Sequence, residues 1–332
     1  MTQDNIAKEP IVWKNHFDDY EWNTLLEKYH GHPLQSAKWG NAKTQVCGVP
    51  DYRWAAFQNG LPVFIVRFEE RRFLRFFKIA WAPRGPLVLA TAQEKQLYKS
   101  FLNQLKKTGF LFCITNPWKR VVESKNKLRS AFYTIWIDLS LPEEKLWNNL
   151  HKQCRYDIRN AKKRGVVIEQ SCLPADLESF YSVCAAIGRD KNFHFNASQL
   201  FMSHLLFEQN HNEVKSHLFV AKHEGNFCGG AFIMRCGESV HYIWGAVNRQ
   251  FSRLCVGEAL QWAVIEWAIN QNCKKYDLEG ISSKQNSGVD KFKKKFGGEV
   301  IVCSGIQIYP IYKGFGVFAG IIKLYCAMRS KF

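Results

Sequence analysis

The sequence predicts an α+β protein built from two copies of one unit. Three observations predict it: two hairpins of the same pattern, a strand–helix–strand run after each, and a basic amphipathic helix between the copies. The first hairpin is Arg53-Trp-Ala-Ala-Phe-Gln-Asn-Gly60-Leu-Pro-Val-Phe-Ile-Val-Arg67, two apolar strands around an Asn-Gly turn. The second, Leu218-Phe-Val-Ala-Lys-His-Glu-Gly225-Asn-Phe-Cys-Gly-Gly-Ala-Phe-Ile-Met-Arg235, repeats it with the turn glycine 165 positions later. After the first come an expected strand at 79–81, the segment Pro83-Arg84-Gly85-Pro86, a helix over 93–108 and a strand over 111–115. After the second come a strand over 241–247, a helix over 257–271 and a strand over 275–278. A chain of 332 residues suits two domains of ordinary size.

Between the copies, Ser140-Leu-Pro142-Glu143 reads as a capping box that starts one helix. Leu146, Leu150, Cys154, Ile158 and Ala161 then fall on one stripe, and Lys152, Arg155, Arg159 and Lys162 on another. Gly165 suits the residue after the helix end, behind three terminal cations that favour the dipole. The boundary between halves is placed near Ser140. The tail 312–332, with Phe315, Val317, Phe318, Ile321 and Ile322 among Lys313, Lys323, Arg329 and Lys331, reads as an amphipathic closing helix. Docking on the first half is the expectation; lying on a membrane surface is the competing one. The first domain is therefore 1–140 plus 312–332, and the second 141–311.

Composition narrows the function classes. Apolar residues make up 46% and charged residues 23%, the mix of a globular protein. Lys plus Arg number 46 against 29 Asp plus Glu, a net charge of +17 that favours polyanionic partners. No apolar run approaches the ~20 residues of a membrane span, and the polar start does not read as a signal peptide. The product is expected in the cytoplasm, with peripheral contact at the inner membrane face left open. Eleven scattered cysteines without a CxxC pair read as buried reduced thiols. Ten histidines without zinc spacing, His30-Gly-His32 included, give no metal site. GxxxxGK[ST] and GxSxG are absent. Arg253-Leu-Cys-Val-Gly257-Glu-Ala259 approaches the R/Q-x-x-G-x-G/A turn that cradles coenzyme A pyrophosphate, but is one residue too long. No cofactor is expected.

Positive charge concentrates between Lys152 and Arg164, at Lys291-Phe-Lys293-Lys-Lys295-Phe296-Gly297-Gly298, and from Arg67 to Lys78, where Glu69 and Glu70 dilute it. A charge run is ordinarily a solvated face, and the interleaved Lys/Phe order is what points to phosphate contact. Arg155 and Arg159 suit bidentate phosphate binding. Tyr242 and Trp244, two apart on an expected strand, should share one face and line a cleft or pack in the core. Asp277 ends a strand, where pocket residues often sit, and one carboxylate is thin support for a general base.

Five stretches, in order, carry a family resemblance: Leu34-Gln35-Ser36-Ala-Lys-Trp39-Gly-Asn-Ala-Lys43, Pro83-Arg84-Gly85-Pro86, the helix 150–165, Tyr276-Asp277-Leu-Glu279-Gly280-Ile281, and Gly288-Val-Asp-Lys291-Phe292-Lys293 through Gly298. The chain resembles the FemABX family of aminoacyl-tRNA-dependent peptidyltransferases, which build peptidoglycan side bridges. The resemblance implies two tandem acetyltransferase-like (GNAT-type) domains, with a C-terminal helix returning to the first. It implies transfer of an aminoacyl group from aminoacyl-tRNA to a stem-peptide amine of a muramyl-pentapeptide precursor, nucleotide- or lipid-linked. No heptad stretch between Arg164 and Leu218 could make the long helical arm of some relatives, so the chain is similar to the armless type. The family's Phe-Lys pair falls on Phe292 and Lys293, with Lys293 at the charged tRNA end or reaction centre. Precursor-binding positions fall on Gln35, Trp39 and Lys43. Glu279 departs from the commoner Asp-x-Gly-Gly pattern.

Two other readings compete. A related N-acyltransferase would modify another cell-envelope glycan precursor from acyl-CoA or a different donor, indifferent to ribonuclease. A non-catalytic RNA or anionic-membrane binder would show strong salt sensitivity and no covalent product. The sequence carries no sign of the oligomeric state.

Overall fold

The computed structural model describes residues 9–73, 76–119, 131–190, 195, 197–208 and 214–312. The first half runs β1 (Val12–Lys14), α1 (Asp19–Lys28), α2 (Ala37–Cys47), β2 (Asp51–Gln58), β3 (Leu61–Phe73), β4 (Phe77–Ala82), β5 (Leu87–Val88), α3 (Glu94–Lys107) and β6 (Phe112–Thr115). There follow β7 (Ala131–Asp138), α4 (Glu143–Asn149), α5 (Lys152–Lys163), β8 (Val167–Ser171), α6 (Pro174–Asp190), α7 (Gln199–Phe207), β9 (Lys215–His223) and β10 (Asn226–Cys236). The described residues end with β11 (Ser239–Val247), α8 (Val256–Asn270), β12 (Lys275–Asp277), α9 (Gly288–Lys294), β13 (Glu299–Ser304) and β14 (Gln307–Pro310).

The repeat seen in the sequence is a repeat of sheets. One sheet has the order β1-β2-β3-β4-β6-β14 with β5 beside β3, and the other β8-β9-β10-β11-β12-β7-β13. The two hairpins are β2–β3 and β9–β10, each pairing antiparallel around its turn. β4 then runs parallel to β6, and β11 parallel to β12, each pair bridged by one helix. In α3 the buried Leu97, Tyr98, Phe101 and Leu105 make the apolar stripe. In α8 Val256, Leu260, Val264, Ile265 and Ala268 do the same.

The sixth strands are exchanged between halves. β7 follows the first unit in sequence yet pairs with β12 and β13, and β14 follows the second unit yet pairs with β6. The boundary expected near Ser140 therefore falls one strand late, since β7 already belongs to the second sheet. The return to the first half starts at Gln307 rather than at Tyr312. The expected closing helix lies outside the described residues.

The basic segment is two helices, not one. Leu150 is extended (ψ 143), His151 caps the new helix by accepting from Gln153 N–H, and Arg155 ties the break by donating to the carbonyls of Asn148 and Leu150 at 2.9 and 2.6 Å. The expected capping box is absent. Ser140 instead donates N–H and O–H to Asp138 at 3.0 and 2.6 Å, and the helix begins at Glu143, with Pro142 at the cap position. Those bonds hold the Asp138 carboxyl below its usual range. The apolar stripe is as read: Leu146, Leu150, Cys154, Ile158 and Ala161 are all buried.

The halves share a core. Leu26, Trp39 and Ala42 from α1 and α2 pack with Leu177, Phe180, Phe201 and Met202 from α6 and α7, on one face of the second sheet. α5 and α8 cover the other face.

Candidate active site at the strand splay

β11 and β12 pair only over Ser239–His241 and Lys275–Asp277, and then separate. A bulge in the β10–β11 register, where Phe232 faces Trp244 and Ile233 faces Tyr242, turns the strand at this point. The separation opens a cavity of about 800 Å³, reached by Trp39 and Arg84 from the first half and by Tyr242, Trp244, Phe292 and Lys293 from the second. The bulge also corrects the expectation for Tyr242 and Trp244. They sit on opposite sides of the sheet, Tyr242 with the α5–α8 core and Trp244 with the α6–α7 core, yet both border the cavity. A Cβ on Gly245 would come 1.5 Å from Tyr242 Oη, so only glycine leaves the phenol its place.

Lys293 is 7% exposed on α9 and donates to the carbonyls of Glu279 (3.2 Å) and Gly280 (2.8 Å). Burial lowers its pKa to about 8, against the opposing pull of Glu279, Asp277 and Asp290. The Tyr242 ring lies 5.8 Å from Nζ. Phe292 packs over Gly257 in the first turn of α8, where an added Cβ would meet the ring at 3.1 Å. Trp39 stacks on Trp244 at 5.9 Å and meets Phe201 edge-on at 5.1 Å, joining the halves across the cavity.

Five residues expected at the site stand elsewhere. Gln35 is buried under the Pro83–Pro86 segment: Nε2 donates to the carbonyls of Arg67 (2.9 Å) and Pro83 (2.7 Å), and Oε1 accepts from Arg67 N–H (2.7 Å). Its amide is thus spent on backbone. Lys43 lies with Nζ 4.6 Å from the Phe201 ring, outside the cavity lining. Arg155 holds the α4–α5 break, and Arg159 lies 5.2 Å over Trp147 in a separate groove. Asp277 is fully buried and accepts from the indoles of Trp118 (2.7 Å) and Trp136 (2.9 Å), from Thr134, and from Glu279 N–H (2.7 Å). Burial raises its pKa, and four donors leave it no free face for substrate.

The sequence reading missed the network beside Lys293. Glu279 Oε1 accepts from His32 Nε2 (2.7 Å) and His241 Nδ1 (3.0 Å), and Oε2 accepts from Arg84 Nη2 (2.9 Å). Burial would raise the Glu279 pKa, but Arg84 and then His32 more than offset it and hold it well below its ordinary value. Burial, with His241 next, lowers His32 to about 3. His32, His241 and Glu279 offer ligand atoms within 4.8 Å of one another. The donor set does not fit a metal ion. His32 Nδ1 already accepts the Leu34 N–H (3.1 Å), which puts the ring proton on Nε2, the atom facing the carboxylate. Arg84 adds a fixed cation at the other oxygen. Residues 32, 84, 241 and 279 carry no shared spacing, and only the docking of the halves brings them together. The available signals were Glu279 standing where the motif favours glycine and Arg84 within the Pro83–Pro86 stretch.

Residues 148–294 match the acetyltransferase (GNAT) domain family. The crystal structure of FemX superposes with a TM-score of 0.76, covering 94% of this chain and 99% of that one at 15% identity. L-PGS from Bacillus licheniformis gives 0.57 over 99% and 100% at 11% identity. A tandem GNAT protein from the clavulanic acid biosynthesis pathway gives 0.50 over 92% and 100% at 10% identity. The fold is thus that of tandem GNAT proteins. Aminoacyltransferase FemA of Staphylococcus aureus (strain MW2) is 35% identical over 89 residues, 25% of this chain, and the match spans about a fifth (21%) of that relative's length. The chain is thus similar to FemA over that stretch and to FemX in fold over nearly its whole length.

Proposed function

We propose that this protein is a Fem-type transferase that moves an aminoacyl group from aminoacyl-tRNA to an amine on the stem peptide of a muramyl-pentapeptide precursor. The observation that carries the reading is Lys293, a buried ammonium fixed by two backbone carbonyls in the wall of an open cavity. An amine attacking an ester carbonyl forms a tetrahedral oxyanion, and the ribose oxygen then leaves. Lys293 has three N–H donors, of which two are held by Glu279 and Gly280, leaving one for that oxyanion. The attacking amine gives its proton to the leaving oxygen or to water, since the Asp277 carboxylate is already occupied by its four donors. Trp39 and Trp244 supply a broad apolar wall for a sugar or peptide face. Lys152, Arg159, Lys162, Lys163 and Arg164 are exposed on α5 and its end, a strip suited to a nucleic-acid backbone.

No helix among the described residues is long and apolar enough to cross a membrane. On this reading the protein works in the cytoplasm, with peripheral contact at the inner membrane face where the precursor is lipid-linked.

The test is direct. Purified protein is mixed with nucleotide- and lipid-linked precursors and total charged tRNA, and products are weighed by mass spectrometry. A gain of one aminoacyl residue, abolished by ribonuclease, is the expected result. No gain on either acceptor, with charged tRNA verified, overturns the reading; a gain from acyl-CoA instead would point to the related N-acyltransferase.

A further inference from the structure

Glu279 joins two networks through one residue. Its backbone is left-handed (φ +59), a strained conformation for a residue with a Cβ that persists where its surroundings fix it. The surroundings here are three donors: the buried His32 and His241 on one oxygen, and the half-buried Arg84 on the other. Two of these come from the first half of the chain. Arg84 is itself left-handed (φ +57), with its N–H bonded to Asn116 Oδ1 at 2.6 Å and its guanidinium 3.7 Å over the Phe132 ring. The main chain of Glu279 serves a second network. Its N–H donates to Asp277, and its carbonyl and that of Gly280 hold Lys293 Nζ.

We propose that Glu279 is the positioning residue for Lys293, through which the first half of the chain places the reactive lysine of the second. The inference rests on reading Lys293 as the cation of the site. Releasing the carboxylate from its three donors would free the left-handed backbone at Glu279, and with it the two carbonyls that orient the ammonium. The same carboxylate also acts by charge. The charged groups facing Lys293 are Glu279, Asp277 and Asp290, which favour its ammonium form, and Arg84, which disfavours it, beside the neutral Tyr242 ring.

These signs separate positioning with charge coupling from simple structural support. The full-length protein is treated with acetic anhydride at a series of pH values, and acetylation of Lys293 is followed by peptide mass spectrometry. The wild-type midpoint is expected near 8. Glu279→Gln keeps the shape, removes the charge, and should lower the midpoint by about one unit. Arg84→Gln leaves the two histidine donors on an ionised Glu279 and should raise it. Midpoints that stay fixed, or move in the same direction, overturn the proposal. If Glu279→Gln lacks a cooperative melt, Arg84→Gln decides alone, with an unchanged or lowered midpoint overturning it. The readout needs no acyl acceptor, so failure of the transfer assay and failure of this inference are separate results.

Discussion

Replacing Lys293 with methionine should remove a pH-dependent penalty that the folded chain carries. The lysine titrates at about 8 in the folded protein against 10.5 when free, because burial disfavours its charge. Below pH 8 it is charged in both states, and folding bears the cost of burying that charge. The 2.5-unit difference corresponds to about 3 kcal/mol at roughly 1.4 kcal/mol per unit. Above 10.5 it is neutral in both states and the cost is gone. Wild-type stability should therefore gain about 3 kcal/mol from this group as pH rises from 8 to 10.5, and Lys293→Met should lack that gain. The carbonyls of Glu279 and Gly280 lose their donor in the variant at every pH, which offsets the curve without changing its slope. Lys38 and Lys275, also lowered to about 8 by burial, titrate in both proteins and cancel in the comparison. Urea unfolding at several pH values between 7 and 10.5 measures the difference. Parallel stability curves for the two proteins would refute the reasoning, because they would mean Lys293 is not buried as a charge. In the transfer assay the same variant should lose ~10²–10³-fold in kcat, the usual cost of deleting one oxyanion donor.

Other expectations follow from single contacts. Gln35→Ala strands the buried Arg67 N–H and two carbonyls and should cost about 2–4 kcal/mol in urea unfolding. Gly245→Ala places a methyl against Tyr242 Oη, so the phenol must move; activity should fall while the melt changes less than for Gln35→Ala. Arg159→Ala with Lys162→Ala, both exposed, should leave stability within about 0.5 kcal/mol and flatten the salt dependence of tRNA binding by about one to two in log–log slope.

Much of the fold was legible because each half carries its own local signals. The Asn-Gly turn at Gly60 and the apolar runs beside it force a hairpin whatever surrounds them. The stripe on α5 was legible for the same reason, whereas the helix break at Leu150 was not, since it depends on His151 N–H reaching the Lys295 carbonyl far along the chain. Of the residues lining the cavity, Trp39, Tyr242, Trp244, Phe292 and Lys293 stood out in the sequence through motif order or strand spacing. The error over Tyr242 and Trp244 came from the bulge, which a period of two cannot register. Gln35 and Asp277 show the opposite limit. Both stand in motif segments, and both serve backbone or indole donors that the sequence cannot place opposite them.

The strand exchange makes the choice of domain boundary a question of stability. A fragment spanning 131–306 contains every strand of the second sheet, while one spanning 141–311 omits β7. β7 lies between β12 and β13, so its loss leaves both without that neighbour. Ile135, Ile137 and Leu139 are 0%, 3% and 4% exposed in the core under α5 and α8. At about 1.5–3 kcal/mol for each buried side chain, their loss removes about 5–9 kcal/mol, as much as the whole net stability of many domains. Both fragments uncover the α6–α7 face that Leu26, Trp39 and Ala42 protect in the full chain, so that cost is common to the two. The longer fragment should melt cooperatively and the shorter should not, by circular dichroism on heating. A cooperative melt of 141–311 at the same temperature as 131–306 would show that β7 is dispensable, and with it the idea that each half is completed by a strand from beyond its own repeat.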